Sequence, residues 1–369
     1  MEYIDYLNCI VGIPNSILKH YGLKEFNNSL KMLDEHLKNN NPKNIILIIC
    51  DGMGYDFLEN NLNKKDFLRK NLKSIISSVF PSTTASATTS IITGLYPNQH
   101  CWLGWDNYIK PLNKVVTMFL NKEKDTNNYI AGENICHKYF GYKTIFDLIN
   151  SNTKVKATYL SPFDGIKYKS FDDMCNKIKK ICNNEKQNFI YAYYENPDSI
   201  IHKTGLESKE AKRNLKIINQ KLEKLVNELN NTLIIITADH GLIKNEYIYL
   251  EDYDDIFNCL KHNTSIDSRA SMIFVKANCI NKFKELFLKN FEKDFLLFSK
   301  KEIIDKKIFG LGQNHKMFNS CLGDYIAVGI KNKAIKYKRN GPELKATHSG
   351  LTKSECLVPL IIINKNSKK

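Results

Sequence analysis

The sequence predicts an α/β protein with a largely parallel central sheet, helices on both faces of that sheet and a smaller α+β insertion. Three short apolar runs, at residues 44–50, 189–194 and 233–237, support this prediction. β-branched and aromatic side chains fill these runs without the polar alternation of a half-exposed strand, which is typical of strands buried on both faces. Segments with helical periodicity lie between the runs, as expected of an α/β chain.

The length of the chain predicts its division into parts. At 369 residues it is longer than one core of about 100 to 200 residues and short for three. We expect one catalytic core, formed by residues 1–241 and 347–369, and a smaller α+β insertion at 242–346. The insertion is predicted where short apolar runs alternate with charged residues.

The charge of the chain indicates what kind of partner it has. Lys and Arg number 54 against 39 Asp and Glu, which gives a net charge of +15. Most of the surplus is Lys interleaved with Asn, without an Arg-rich block, so a solvated surface is favoured over a dedicated nucleic-acid face. An excess of this size is compatible with nucleic acid, an anionic membrane or a small anionic substrate as the partner.

Cysteine usage and hydropathy indicate a cytoplasmic protein without a membrane partner. The ten Cys residues are scattered without a CxxC pair, which favours free thiols in a reducing compartment. Acidic residues occur early in the chain, with no basic segment before an apolar stretch, so no secretory signal is predicted. No apolar run approaches the roughly 20 residues needed to span a bilayer.

The first elements in the chain lead to a polar turn. Residues 16–37 show apolar side chains near helical spacing and predict amphipathic helices. The strand at 44–50 then runs directly into Asp51, followed by glycines at 52 and 54. Glycine allows a backbone to approach a ligand closely, so this strand end is a candidate site.

A hydroxyl-rich segment forms the next candidate. Pro81 is predicted to end a strand at 77–80, and a helix is predicted from Ser82 to Gly94. The simplest interpretation is a well-capped helix. However, the N–H groups and dipole of a helix start also favour an anion. Thr83 or Thr84 would be a nucleophile there if a metal lowered the pKa of its hydroxyl.

Aromatic residues follow this helix. Trp102, Trp105 and Tyr108 lie in a Gly- and Pro-containing stretch, and aromatic side chains beside a site can stack on a planar group such as a nucleobase. We therefore consider all three as substrate contacts. The alternative is that they fill the core, which we expect of at least one of the two tryptophans.

The strand at 189–194 ends in a second polar turn. If a helix starts after Pro197, Asp198 and His202 lie four residues apart on one face and can share one metal ion. A periodic helix is predicted at 208–229 and leads into the strand at 233–237.

That third strand also ends in polar residues. Asp239 and His240 follow it, at the sheet edge where ligands bind in open α/β folds. Alone, the pair is equally consistent with a capping Asp and an isolated His. His348 lies in a hydroxyl- and glycine-containing segment before the last apolar strand at 357–364.

Taken together, these residues predict a metal site. Carboxylates, imidazoles and one hydroxyl suit two tetrahedral divalent ions, each with a position open to substrate. The mixture of carboxylates and imidazoles without a thiolate suits Zn²⁺, with Mn²⁺ as the alternative. Two such ions hold the attacking and leaving oxygens of a phosphoryl displacement, which indicates a hydrolase of small anionic phosphate esters.

Six motifs in this chain resemble those of a known family. They are DGMG at 51–54, FPSTTA at 80–85, TGLYP at 93–97, PDSIIH at 197–202, TADHG at 237–241 and THSGL at 347–351. In this order, between about residues 44 and 363, they are similar to the type I phosphodiesterase/nucleotide pyrophosphatase family of the alkaline phosphatase superfamily.

The resemblance implies an alkaline-phosphatase-like fold and a specific ligand map. One metal would be held by Asp51, Asp239 and His240, and the other by Asp198, His202 and His348. A Thr nucleophile would bridge to the first metal. Spacing from Pro81 and from TGLYP assigns this role to Thr84, with Thr83 as the fallback.

The expected reaction is hydrolysis of a phosphodiester or pyrophosphate bond through a phosphothreonine intermediate. Phosphomonoesters, phosphonates and sulfate esters are alternative substrates, because the metal core does not choose among them. A non-catalytic binding module and a nucleic-acid-binding protein are further alternatives. The retention of every metal position argues against the binding module.

Overall fold

The computed structural model describes residues 2–366, which form both strands and helices along their whole length. The strands are β1 Asn44–Cys50, β2 Leu72–Ser77, β3 Asp106–Ile109, β4 Lys114–Thr117, β5 Lys122–Glu123, β6 Lys156–Leu160, β7 Asn188–Tyr194, β8 Thr232–Thr237, β9 Ile243–Lys244, β10 Glu246–Tyr249, β11 Ser265–Asp267, β12 Ala270–Ile273, β13 Phe295–Ser299, β14 Tyr325–Gly329, β15 Lys333–Lys336, β16 Ala346–Thr347 and β17 Leu357–Lys365. The helices are α1 Gly12–His20, α2 Lys31–Asn40, α3 Tyr55–Asn61, α4 Phe67–Lys70, α5 Thr84–Thr93, α6 Pro97–His100, α7 Ile135–Tyr139, α8 Ile145–Asn152, α9 Phe171–Cys182, α10 Asp198–Thr204, α11 Lys209–Asn227, α12 Asp254–Phe257, α13 Ile280–Phe291, α14 Lys300–Asp305, α15 Phe318–Cys321 and α16 Lys353–Cys356.

The central sheet has six strands in the order β2-β17-β8-β1-β7-β6. β1 pairs in parallel with both β7 and β8, and β6 pairs in parallel with β7. Only β17 runs against its neighbours, β8 and β2. Every residue of β1 and β8 is buried, so side chains on both faces of the sheet are covered. The predicted α/β class with a largely parallel central sheet is confirmed.

The register of the three central strands brings their carboxyl ends together. Cys50 of β1 is level with Tyr194 of β7, and Ile49 is level with Thr237 of β8. The residues that follow these strands therefore begin at one edge of the sheet. This is the edge at which the sequence predicted polar turns.

A second, seven-stranded sheet has the order β13-β14-β12-β11-β3-β4-β5. β11 to β14 come from the predicted insertion at 242–346. In contrast, β3 to β5 come from the range predicted as core, and Asp106 of β3 pairs with Ile266 of β11. The second sheet therefore joins strands from both sides of the predicted boundary at 242, and nothing local to β3 indicates a partner so distant in the chain. The division into a core and an insertion stays a prediction. Residues 1 and 367–369 of the predicted core lie outside the described residues.

Local elements follow the predictions with small differences at their ends. α5 begins after Thr83 and ends before Gly94, whose φ is 73°. The Ser208 side chain accepts a bond from the N–H of Ala211 at the start of α11, as expected of a cap. The strand predicted to continue to residue 80 ends at Ser77, because its partner β17 begins opposite that residue, at Leu357.

All ten cysteines are free thiols, as predicted. Between residues 2 and 366, none of the helices combines the length and apolar character needed to cross a membrane.

Candidate active site

The acidic residues that follow the central strands meet at the carboxyl edge of the sheet. Asp51 follows β1, Asp239 lies two residues after β8, and Asp198 begins α10 after the turn that follows β7. The N–H of Asp198 donates to the Asp51 carbonyl at 3.0 Å. The N–H of Gly52 donates to Asp239 Oδ1 at 3.1 Å, so the three turns are joined directly.

Asp51, Asp239 and His240 form one buried group. Each offers a ligand atom, and the three atoms lie within 4.8 Å of one another. His240 Nε2 is 3.3 Å from Asp51 Oδ1 and 3.6 Å from Asp239 Oδ2. Two ligands about 2.0–2.1 Å from a tetrahedral ion are separated by about 3.3 Å, so these separations fit a shared ion.

Thr84 presents its hydroxyl to this group. It is the first residue of α5, and its Oγ1 lies 3.0 Å from His240 Nε2 and 3.5 Å from Asp51 Oδ2. Thr83, one residue earlier, is buried, and its side chain bonds to Asp267 instead. The two threonines therefore face different partners.

Asp198, His240 and His348 form a second group, with ligand atoms again within 4.8 Å of one another. His202 is not in this group, although its Nε2 is 3.1 Å from Asp198 Oδ2 and its ring centroid is 5.3 Å from that of His348. The structure thus places His240 between the two groups, whereas the map implied by the resemblance used it for one metal only.

The histidine rings are oriented by backbone carbonyls. His202 Nδ1 lies 2.7 Å from the Ala346 oxygen, and His240 Nδ1 lies 3.1 Å from the Gly241 oxygen. Because a carbonyl only accepts, we assign the proton to Nδ1 in both rings. Their Nε2 atoms are then directed into the site, the arrangement common for metal-ligating histidines.

Several buried polar atoms in the site have no hydrogen-bond partner among residues 2–366. They are Asp51 Oδ1, Asp198 Oδ1, Asp239 Oδ2 and His348 Nδ1. An unpaired buried carboxylate is costly unless it is neutralised or coordinates a metal. The donor set therefore fits divalent cations.

Burial and the charges of neighbouring residues also shift the pKa values of the site residues. Burial, followed by the charges of Asp239 and Asp198, raises the pKa of Asp51 well above its usual value. Burial and the neighbouring His240 lower the pKa of His348. Burial opposes protonation of His202, but the bond to Asp198, the charge of that carboxylate and the bond to the Ala346 carbonyl together raise its pKa. No Lys or Arg forms an ion pair with the three carboxylates within the described part of the chain.

The sequence profile of the type I phosphodiesterase/nucleotide pyrophosphatase family matches residues 45–293, more than half of the chain. The chain belongs to this family.

Curated relatives of this phosphodiesterase-family chain match it over part of their length. Venom phosphodiesterase 2 of Crotalus adamanteus is 27% identical over 234 residues, covering 58% of this chain and 28% of that protein. Human bis(5'-adenosyl)-triphosphatase ENPP4 is 26% identical over 273 residues, covering 66% of this chain and 57% of that protein. The chain thus spans between about a quarter and three fifths of the length of these relatives.

Solved structures share the fold. An inactive variant of murine ectonucleotide pyrophosphatase/phosphodiesterase 5 in complex with AMP superposes with a TM-score of 0.68 at 18% identity, covering 88% of this chain and 90% of that chain. Phosphonoacetate hydrolase from Sinorhizobium meliloti 1021 in complex with phosphonoformate gives 0.64 at 16% identity, covering 89% and 91%. These similarities confirm the predicted alkaline-phosphatase-like fold.

Two further residues of this family member, which the sequence analysis missed, contact residues that it named as candidates. The Tyr193 hydroxyl donates to Asp51 Oδ2. Asp267 accepts from the N–H of Trp105 at 3.4 Å and bonds to Thr83, and burial raises its pKa to about 7. Tyr193 occupies the penultimate position of β7 and was open to prediction. Asp267 was not, because β11 reaches the site only through its pairing with β3.

The predicted aromatic contacts separate into three environments. Trp102 is 8% exposed and belongs to the core, as expected of at least one tryptophan. Trp105 is 42% exposed and packs against Phe119, with ring centroids 5.4 Å apart. Tyr108 packs on Phe274 in a cleft whose lining includes none of the acidic and histidine residues of the site. A substrate role for any of the three stays a prediction.

Proposed function

We propose that this chain is a metal-dependent hydrolase that cleaves phosphodiester or pyrophosphate bonds through a phosphothreonine intermediate. The observation that carries the proposal is the position of Thr84 Oγ1, 3.0 Å from His240 Nε2 and 3.5 Å from Asp51 Oδ2 at the start of α5. A hydroxyl beside a buried carboxylate and imidazole group is placed to act as a nucleophile once its proton is removed. The family and the names of its curated relatives agree with this chemistry.

The residues proposed to hold two divalent ions are Asp51, Asp239, His240, Asp198, His202 and His348, with Thr84 at the first ion. When bound, such ions lower the pKa of a coordinated hydroxyl and stabilise negative charge on phosphoryl oxygens. The mixture of carboxylate and imidazole ligands favours Zn²⁺, and Mn²⁺ is the alternative. Carbonyl bonds to His202 and His240 fix the tautomer that such binding needs.

The proposed reaction has two displacements. In the first, Thr84 Oγ1 forms a bond to phosphorus and the bond from phosphorus to the leaving oxygen breaks, so that the hydroxyl proton of Thr84 is balanced by the proton that the leaving oxygen gains. In the second, the oxygen of water attacks the same phosphorus, the bond to Oγ1 breaks and one water proton returns to Oγ1, which regenerates Thr84. The products are a phosphorylated compound and the leaving group.

The N–H groups at the start of α5 are placed to stabilise the negative charge of the phosphoryl oxygens. Thr83, the N-cap residue, makes no side-chain capping bond, so it does not occupy the first-turn N–H groups. These groups and the helix dipole favour an anion at this position. The net charge of +15 also favours a small anionic substrate. A cytoplasmic location and the absence of nucleic-acid and membrane partners stay predictions.

The proposal is tested by hydrolysis of bis-p-nitrophenyl phosphate and p-nitrophenyl phosphate on protein stripped with chelator and reloaded with Zn²⁺ or Mn²⁺. We expect turnover that depends on the metal and favours the diester. A preference for the monoester would contradict the phosphodiesterase assignment and leave a phosphatase. No turnover of either ester by protein with two bound ions would contradict both, and phosphonates and sulfate esters would be assayed next.

A further inference from the structure

A buried ion pair joins the second sheet to the segment that carries His348. Arg269, between β11 and β12, and Glu355, in α16, are both 0% exposed. Arg269 Nε lies 2.6 Å from Glu355 Oε1, and Arg269 Nη2 lies 2.8 Å from Oε2. This two-point geometry is stronger and more directional than a single charged hydrogen bond.

The remaining bonds of Arg269 anchor it to β14 of the second sheet and to β15. Its Nη1 donates to the Lys333 carbonyl at 2.6 Å, and its Nη2 lies 3.5 Å from the Gly329 oxygen. The backbone carbonyl of Arg269 also accepts from the N–H of Gly329 at 2.8 Å. Because β15 pairs with β10 outside the second sheet, strands of two sheets hold the guanidinium independently of Glu355.

Glu355 contacts two of the segments that carry predicted metal ligands. Its Oε1 accepts from the N–H of Gly350, two residues after His348, at 2.8 Å. Its backbone carbonyl accepts from the N–H of Gly241, next to His240, at 2.9 Å. Its Oε2 accepts from the Thr352 hydroxyl at 2.6 Å. One side chain and its own backbone thus connect the turns of two histidines.

The backbone at Gly350 is closely packed against Gly329 and Arg269. A Cβ atom on Gly350 would lie 2.6 Å from the Gly329 oxygen and 2.7 Å from Arg269 Nη2. The N–H of Leu351 also donates to the Gly329 carbonyl at 2.8 Å. The backbone after His348 is therefore pressed against the ion pair, and a change in the pair is transmitted to that backbone.

We propose that Arg269 and Glu355 are positioning residues that hold His348 in the orientation required for metal binding, so that the second sheet determines the affinity of one of the two ions. This inference rests on the proposed function, because it assumes that His348 is a ligand. Outer partners of metal ligands typically change metal affinity by about 10- to 100-fold when they are removed.

The inference is tested by Zn²⁺ binding to chelator-stripped protein in competition with a chromophoric chelator, which yields a dissociation constant for each ion. The first variant, Arg269→Lys, keeps the charge but loses the two-point geometry. The second, Arg269→Met with Glu355→Met, leaves no unpaired buried charge, a replacement that proteins often tolerate. The control is Lys179→Met with Glu228→Met, which removes an ion pair of 2.6 Å at the surface. His348→Ala identifies the dissociation constant that belongs to the His348 ion.

We expect both Arg269 variants to bind that ion about 10- to 100-fold more weakly, while the other constant and the control keep wild-type values. A merely stabilising pair would lower the urea midpoint without changing the ratio of the two constants, and this result would overturn the inference. If the double variant does not fold, the ratio measured with Arg269→Lys decides. Wild-type protein that binds fewer than two ions would contradict the proposed function as well. Two ions in the wild type with unchanged constants in the variants would overturn the positioning role alone.

Discussion

Oγ1 of Thr84 lies 3.0 Å from Nε2 of His240, although 156 residues separate the two in the chain. The start of α5 and the end of β8 are thus brought within hydrogen-bond distance of each other. Asp51 Oδ2 lies 3.5 Å from the same hydroxyl, so the threonine contacts the ends of both β8 and β1.

Replacing Thr84 by Ala is expected to abolish turnover while the fold and metal content are retained. The substitution removes the hydroxyl oxygen that is proposed to bond to phosphorus, and loss of a nucleophile commonly costs a factor on the order of 10³ or more in kcat. The measurement is kcat for bis-p-nitrophenyl phosphate together with metal analysis. Thr83→Ala is the matched control. Normal turnover in Thr84→Ala, or a larger loss in Thr83→Ala, would contradict the assignment of Thr84.

His240→Ala is expected to weaken binding of both ions, whereas Asp198→Asn weakens only one. His240 contributes a ligand atom to both groups of the site, and Asp198 contributes to one. Isothermal titration of stripped protein with Zn²⁺ measures each constant. If His240→Ala affected one ion and His202→Ala the other, the map with separate histidines would replace the shared one.

Tyr193→Phe is expected to weaken Zn²⁺ binding by about 10- to 100-fold with little change in stability. The lost hydroxyl donates to Asp51 Oδ2 and orients that carboxylate. Tyr96→Phe is the control, because its buried hydroxyl donates to the Tyr6 carbonyl at 2.6 Å, outside the two ligand groups. Equal metal affinity in both variants would show that Tyr193 does not orient a ligand.

Trp102→Ala is expected to change the stability of the protein, and Trp105→Ala is expected to change substrate binding. Trp102 is 8% exposed, and its truncation should lower the free energy of unfolding by about 3–5 kcal/mol. Trp105 is 42% exposed, and its truncation should instead raise KM for esters with an aromatic leaving group, since stacking contributes about 1–3 kcal/mol. Urea denaturation and steady-state kinetics measure the two effects. An unchanged KM in Trp105→Ala would exclude Trp105 as a substrate contact.

Asp267→Asn is expected to alter how stability depends on pH. Burial raises the pKa of Asp267 to about 7 in the folded protein, above the usual 3.8. The folded state therefore binds this proton more tightly, and wild-type stability falls as the pH rises from about 4 to about 7. The free energy of unfolding is measured by urea denaturation at pH 5 and at pH 8. Between these two pH values it should fall by about 1–3 kcal/mol less in Asp267→Asn than in the wild type. Parallel pH profiles would contradict a buried, protonatable Asp267.

Much of the central sheet was predictable because its signals are local. The apolar runs of β1, β7 and β8 indicate buried strands within a few residues, and Thr83, Gly94 and Ser208 mark helix ends by their own backbone preferences. The acids that follow the strands are adjacent to them in the chain. Their convergence followed from the general behaviour of parallel sheets.

Other features depended on pairings that no local pattern encodes. Asp106 pairs with Ile266 across the predicted boundary of the insertion, and this pairing brings Asp267 beside Thr83. The contact between Arg269 and Glu355 spans 86 residues. Sequence motifs of a few residues do not report such contacts, since each depends on the register of strands that are far apart in the chain.

By itself, the sequence determined which strands are buried and which polar residues follow them, because runs of neighbouring apolar side chains indicate buried strands and the residues after each run indicate where the strand ends. Only the tertiary structure decided that His240 is shared by two groups of residues able to hold a metal ion, that Thr84 rather than Thr83 faces them, and that the second sheet contacts the His348 segment. These outcomes depend on distances of a few ångströms between segments brought together by strand register and packing. Such distances arise only when the whole chain is folded.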